Sequence, residues 1–279
     1  MLKKQVYIGF TVDYFQGFTP AVIITGLRFL GVKFIEITKS AFDQIEEVVS
    51  VLRSTQTALH LPLICKDGWD LSCVDHGDKI DEHITRINTN RERLNIHHAV
   101  VHPPEPEAAS EPIKTSIDYW IQNLKRLNLP LFLENTPHQS PEAFASLFST
   151  VKGELKEQLL GMCFDAPHFW VTGYDPIDMY TNWNDRIGAV HLSDCRRGED
   201  SHIPFFAGGS LPVQKILMKL KEARFTGYIT LEIKPISLQH IDAFIESYLY
   251  TLKILNYHKF LRTKVRMVFL RPFLKKFIG

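Results

Sequence analysis

Short apolar runs that end in His, Glu or Asp alternate with amphipathic segments along this chain. Eight such alternations predict parallel βαβ units closing into one α/β domain, a (β/α)8 TIM barrel. The length of 279 residues agrees, because barrels of this kind typically run to about 250 residues. The third observation is where the chemistry-bearing side chains fall. In GMCFDAPHFWVTGYD, residues 161–175, the apolar run 162–164 ends at Asp165 and His168 follows three residues later. A buried parallel strand delivers side chains at its carboxyl end in this way. An open doubly wound sheet is the alternative, but it expects a glycine-rich phosphate turn after the first strand, which Gly9 and Gly17 do not make. The barrel is assigned to residues 1–256, with 257–279 as a basic amphipathic C-terminal extension.

In chain order, VYIGFT (6–11) reads as the first strand, followed by a helix over 20–30 that closes near Gly31 and a second strand, VKFIEIT (32–38). A helix over 42–52 leads to TALHLPL (57–63), whose apolar run ends in His60. The long loop 65–78 holds Trp69 and is expected to cover a site mouth. A polar helix over 79–94 precedes HHAVVHPP, where Ala99, Val100 and Val101 lead into His102 and two prolines stop the strand. The helix over 117–127 feeds LPLFLENTP (129–137), which presents Glu134 and Asn135, and a helix over 141–160 returns the chain to the 161–175 motif. A helix over 176–184 leads to IGAVHLSD, with His191 and Asp194 at the strand end. The loop 195–212 carries Asp200, His202 and the flexible pair Gly208 and Gly209. A helix over 213–223 precedes GYITLEIKP, which ends in Glu232, and 238–256 places Ile241, Phe244, Ile245, Tyr248, Leu249, Leu252 and Leu255 on one helical stripe.

Composition narrows the function classes. A formal charge of +1 with 45% hydrophobic and 23% charged residues describes an ordinary globular protein without a global pull toward nucleic acid or membrane. Four cysteines without CxxC spacing fit a reducing compartment better than a disulfide framework. The N-terminal apolar run is short and interrupted by Asp13, so neither a secretory signal nor a membrane span is expected, and the expected location is cytoplasmic. The charge is unevenly spread. After Glu246 no acid occurs, while Lys253, Lys259, Arg262, Lys264, Arg266, Arg271, Lys275 and Lys276 accumulate. The 257–279 segment reads either as a terminal helix packed on the barrel or a second subunit, or as a basic helix for an anionic membrane surface or nucleic acid; the first is favoured.

The carboxyl ends of barrel strands converge on one face. Converging there are His60, His102, Glu134, Asp165, His168, His191, Asp200, His202 and Glu232, nine nitrogen and oxygen donors that together call for metal ions. The mix suits zinc, manganese, iron or cobalt better than calcium, and the excess over four donors points to more than one ion. Taken singly each has a plainer reading: His60 or His102 as a hydrogen-bonded core histidine, Glu134 as a loop cap, Asp165 as the N-cap of the next helix. His76, His83, His97, His98, His138, His240 and His258 lack strand-end placement and read as surface or structural.

The motifs LHLP, VVHPP, LENT, CFDAPHFWVTGYD, HLSD, DSH and LEIKP together resemble the xylose-isomerase-like barrel superfamily over about residues 5–256. That superfamily holds sugar and sugar-phosphate isomerases and epimerases together with nucleases of the endonuclease IV class. The isomerase branch implies one divalent metal, often manganese, on Glu134, Asp165, His191 and Glu232, with both glutamates moving protons beside the carbonyl through an enediolate. The nuclease branch implies three zinc ions: one on His60, His102 and Glu134, a second on Glu134, Asp165, His191 and Glu232, and a third on His168, Asp200 and His202. The second strand lacks the nuclease's DNA-entering insertion, and HIPFFAGGSLP departs from its Gly-Glu-Gly loop.

The expected function is therefore a divalent-metal-dependent isomerase or epimerase of a sugar or sugar phosphate, with Glu134 and Glu232 as acid and base, holding one to three Zn2+ or Mn2+ ions. His168, Lys66 or Arg196 would orient substrate hydroxyls or a phosphate. A trinuclear zinc phosphodiesterase is the alternative. Nucleic acid and membrane are less favoured partners, and homo-oligomer formation stays open.

Overall fold

Alternation along a strand sends every second side chain into a barrel. In the computed structural model, which describes residues 5–110, 112–234 and 241–278, this parity organises the whole fold. The strands are β1 Val6–Val12, β2 Phe34–Ile37, β3 Gln56–His60, β4 Ile96–Val101, β5 Leu131–Glu134, β6 Leu159–Asp165, β7 Ile187–Leu192, β8 Asp194–Arg196, β9 Glu199–Ile203 and β10 Gly227–Leu231. The helices are α1 Pro20–Phe29, α2 Ser40–Asp43, α3 Ile45–Leu52, α4 Ile64–Asp67, α5 Gly77–Asn90, α6 Ile117–Arg126, α7 Pro141–Leu155, α8 Ala166–Val171, α9 Pro176–Trp183, α10 Val213–Glu222, α11 Ile241–Leu255 and α12 Tyr257–Ile278. Strands β1 to β7 and β10 close into a parallel barrel in the order β1-β10-β7-β6-β5-β4-β3-β2, as expected, and β8 and β9 pair separately as an antiparallel hairpin.

Positions 34 and 36, 58 and 60, 98, 100 and 102, 132 and 134, 163 and 165, 189 and 191, and 228, 230 and 232 share the inward parity. At the amino end of the barrel this gives an aromatic plug. Tyr228 stacks on Tyr7 at 5.3 Å between ring centroids, lies 4.2 Å from His98, and His98 meets Phe132 edge-on at 5.0 Å. Val100, Phe132, Cys163 and Ala189 form a small apolar layer against it. The same parity two steps on delivers polar donors at the opposite rim.

Several helices begin with the same local device, an oxygen-bearing N-cap followed by proline, which costs no backbone donor in the first turn. Ser140 accepts from the Ala143 N–H before Pro141, and Asp175 accepts from Ile177 N–H before Pro176.

The structure corrects three local expectations. The helix expected over 141–160 ends at Leu155; Lys156 turns to φ 50° and Leu159 and Leu160 already belong to β6, with Leu159 buried and Leu160 exposed as strand alternation requires. The helix expected over 42–52 is broken into α2 and α3 at Gln44. The 195–212 loop contains the β8–β9 hairpin, and its glycines are not a free hinge: Gly208 occupies φ 92°, and a Cβ at Gly209 would collide with the Asp194 carboxylate. Trp69 is buried, meeting the His83 ring edge-on at 5.4 Å with the Lys79 ammonium 4.7 Å over its face, so it anchors the 65–78 loop on α5, while Lys66 and Asp67 of the same loop line the cavity beside His60.

Candidate metal centre

Register assembles the rim. Asp165 pairs directly with His191, Thr230 pairs with His191 from the other side, and Leu133 pairs with Val101, which sets Glu134 beside His102 one step further. The nine strand-end residues meet as three groups, each with its donor atoms within 4.8 Å of one another: His60, His102 and Glu134; Glu134, Asp165, His191 and Glu232; His168, Asp200 and His202. Glu134 belongs to two of them.

The imidazoles are oriented from outside. His60 donates Nδ1–H to the Leu61 carbonyl at 3.1 Å, His168 donates Nδ1–H to the Asn135 carbonyl at 2.7 Å, and His202 donates Nδ1–H to the Glu232 carbonyl at 3.1 Å. His191 donates Nε2–H to Glu36 Oε2 at 3.0 Å. A carbonyl or carboxylate behind an imidazole fixes its tautomer and turns the lone pair of the other nitrogen inward, which is how metal-binding histidines are held. His191 Nδ1 accordingly faces Glu134 Oε2 at 3.0 Å and Glu232 Oε2 at 3.2 Å, and Asp200 Oδ2 lies 3.1 Å from His202 Nε2 and 3.4 Å from His168 Nε2.

Whether these residues fit a cation is answered by their unused valences. Both Glu134 oxygens, Asp165 Oδ2, His102 Nδ1 and His191 Nδ1 are buried without an aligned hydrogen bond, although His102 Nε2 stands 3.2 Å from Glu134 Oε2. Buried polar atoms are normally satisfied, so several orphaned lone pairs at one point fit a divalent ion as the missing partner. The oxygen and imidazole donor set suits zinc, manganese or a similar ion.

The electrostatics agree. Burial, reinforced by the charges of Glu134, Asp200 and Glu232, pushes the Asp165 carboxyl up to about 7 against the opposing pull of His168. Burial would also raise Glu134, but the His102 and His191 imidazoles outweigh it and hold that carboxyl well below the usual range. Burial, with the neighbouring His102 charge, lowers His60, keeping it in the neutral form that binds metal. Carboxylates crowded this closely need positive charge, which a divalent ion supplies.

Three supporting residues complete the site. Asp165 is both donor and helix cap: its Oδ1 accepts from the His168 N–H at 2.7 Å to start α8, leaving Oδ2 for the cluster. Asn135 grips the Asp165 backbone with both ends of its amide. Glu36, inward-facing on β2 and 1% exposed, also accepts from Thr230 Oγ1 at 3.2 Å. Glu36 was not anticipated; the available signal was an acid in the middle of the apolar run FIEI. Asp194 joins none of the groups: its carboxylate accepts from the backbone N–H groups of Cys195, Phe206 and Leu211, tying the hairpin loop to β7. The hairpin carries His202 at φ 44°, a left-handed conformation unusual for histidine.

Beside the donors, a cavity of about 280 Å³ runs from His60 to Asp13, Tyr14, Lys39, Ser40 and Lys66, where Lys66 pairs with Asp13 at 2.5 Å. Arg196 is exposed on the hairpin and pairs with Glu199 at 3.4 Å. Of the histidines set aside, His83 and His98 are buried in aromatic surroundings and His138 is largely exposed, while His240 lies outside the described residues. All four cysteines are free.

Residues 27–248 match the family described as xylose isomerase-like TIM barrel. No curated protein matches the sequence. Solved structures of the same fold include 3-keto-D-glucoside 4-epimerase from E. coli, with TM-score 0.62, 15% identity, and coverage of 89% of this chain and 100% of that one. D-allulose 3-epimerase from Methylomonas sp. in complex with D-allulose is similar with TM-score 0.62, 16% identity, and 92% and 97% coverage. A probable 3-DHS dehydratase from Bacillus anthracis is similar with TM-score 0.63, 12% identity, and 87% and 97% coverage. At such identities the likeness is one of fold.

Proposed function

Because this chain belongs to the xylose isomerase-like TIM barrel family, we propose that it is a divalent-metal-dependent isomerase or epimerase of a small sugar or sugar phosphate. The observation that carries this reading is the approach of Glu134 and Glu232 to one imidazole nitrogen of His191, at 3.0 and 3.2 Å, with Asp165 completing a four-donor set from four strands. In this reading Glu134, Asp165, His191 and Glu232 hold the ion, which when bound acts as a Lewis acid on the substrate carbonyl. Glu134 and Glu232 are both kept anionic, so one takes a proton from the carbon next to the carbonyl and, now protonated, returns it to the neighbouring carbon in an isomerisation. In an epimerisation the other glutamate first takes a proton from solvent and delivers it to the opposite face. The cavity beside His60 takes the rest of a single sugar unit. Lys66 and Asp13 there offer donor and acceptor groups to hydroxyls, and Lys39 and Lys66 offer cations to a phosphate.

The test is solvent deuterium incorporation into a panel of ketoses, aldoses and their phosphates in D2O, with chelator-treated and metal-restored protein. Metal-dependent exchange at the carbon beside the carbonyl, lost in Glu134→Gln and Glu232→Gln, is expected. Full exchange in both variants would sink the assignment of those glutamates.

A specific observation favours a second reading, phosphodiester hydrolysis of the endonuclease IV type. Glu134 is shared with His60 and His102, and His168, Asp200 and His202 form a third donor group alongside. In this reading those groups hold further zinc ions. About three zinc ions per chain together with chelator-sensitive incision of an abasic-site duplex would place it first; about one ion per chain, without incision, would remove it.

A further inference from the structure

The last helix carries features that the barrel site does not use. Along the first half of α12, Tyr257, Leu261, Val265 and Val268 are 56%, 45%, 58% and 69% exposed, at spacings of four, four and three that place them on one face. Phe260, Thr263 and Met267 lie on the other face: Thr263 is buried, and Phe260 and Met267 pack against the core. The outward apolar stripe is bordered by exposed His258 and Arg262 on one side and Lys264 on the other.

The helix sits at a defined end of the molecule. The Arg266 guanidinium occupies the space a side chain at Gly31 would need, and the Lys259 ammonium lies 5.7 Å over the Tyr248 ring of α11. Gly31 belongs to the α1–β2 connection, at the barrel end opposite the donor rim. Phe29, 62% exposed, ends α1 at the same edge.

We propose that this face of α12 is a peripheral docking surface for an anionic lipid bilayer, with the apolar stripe seated among the acyl chains and the flanking cations on the headgroups. Charge selects the occupant: Arg262 and Lys264 flank the stripe, and no acid follows Glu246. A second copy would bring cation against cation at this stripe, and a nucleic acid would leave four apolar side chains without a partner. No described helix is long and apolar enough to cross a membrane, so the helix lies on the surface. Docking by this end leaves the donor rim open to solution.

The test is flotation of the full chain with vesicles of phosphatidylcholine alone or with about 30 mol % phosphatidylserine at low salt. Binding to the anionic vesicles alone, abolished near 1 M salt, is expected. Arg262→Glu/Lys264→Glu should lower it roughly tenfold or more, and Leu261→Ser/Val265→Ser should lower it as well. All four positions are exposed, so the variants keep the fold, checked by unchanged thermal unfolding. No binding to anionic vesicles, equal binding to neutral ones, or indifference to Leu261→Ser/Val265→Ser would each overturn the proposal. So would retention on duplex DNA without vesicle binding, or a solution dimer broken by the same serine pair.

Discussion

Asn135 holds Asp165 by both ends of one amide: its Nδ2 donates to the Asp165 carbonyl at 2.9 Å and its Oδ1 accepts from the Asp165 N–H at 2.9 Å. The clamp joins the carboxyl ends of β5 and β6 and sets the carboxylate that also caps α8.

Asn135→Ala should strand two buried backbone groups of Asp165, costing about 1–3 kcal/mol in equilibrium denaturation. Divalent-metal affinity, measured by competition with a chromophoric chelator, should fall by about 10–100-fold. Wild-type affinity in this variant would mean that β6 alone positions Asp165.

Glu36 should matter to the metal through His191. Glu36→Gln replaces the anion behind the His191 Nε2–H by a neutral amide of the same size, so His191 becomes a poorer donor. A loss of about tenfold in metal affinity is expected with unchanged secondary structure, and Glu36→Leu should lose more. Equal affinities across the series would assign Glu36 to packing alone.

Gly209→Ala drives a Cβ into the Asp194 carboxylate and so disturbs its bonds to the Phe206 and Leu211 N–H groups. The β8–β9 hairpin bearing Asp200 and His202 should shift, costing about 1–3 kcal/mol by overpacking. Elemental analysis should show selective loss of any ion held by His168, Asp200 and His202, with the Glu134, Asp165, His191 and Glu232 set retained.

Acid should destabilise the protein through two histidines outside the donor cluster. Burial pushes His98 down from 6.5 to about 3, and burial together with the Arg86 charge takes His83 down to about 4. Between about pH 4 and 6.5 the unfolded chain binds protons that the folded chain refuses, so stability falls as pH drops through that window. Each group contributes a slope of up to about 1.4 kcal/mol per pH unit. Denaturant unfolding of His98→Leu should show a shallower decline over this range than wild type; an identical slope would mean that His98 is protonated in the folded barrel.

Much of this was legible in the sequence because strand alternation is local. An apolar run ending in His, Glu or Asp declares which side chain faces inward and at which end, whatever the neighbouring strands are, and the Asp165 to His168 spacing announced a cap and a donor together. The 195–212 hairpin was less legible, since polar, exposed strands carry no apolar period.

The sequence by itself determined the barrel and its eight strand ends, through period-two patterning along short segments, and marked nine side chains as candidate metal donors by their chemistry. Only the tertiary structure decided which donors share a point, that Glu134 is common to two groups, and that Glu36 and Asn135 stand behind them. Those relations depend on barrel closure and strand register. They join β2 to β7 across 155 positions of sequence, and no periodicity within either strand specifies how far it slides against its neighbours.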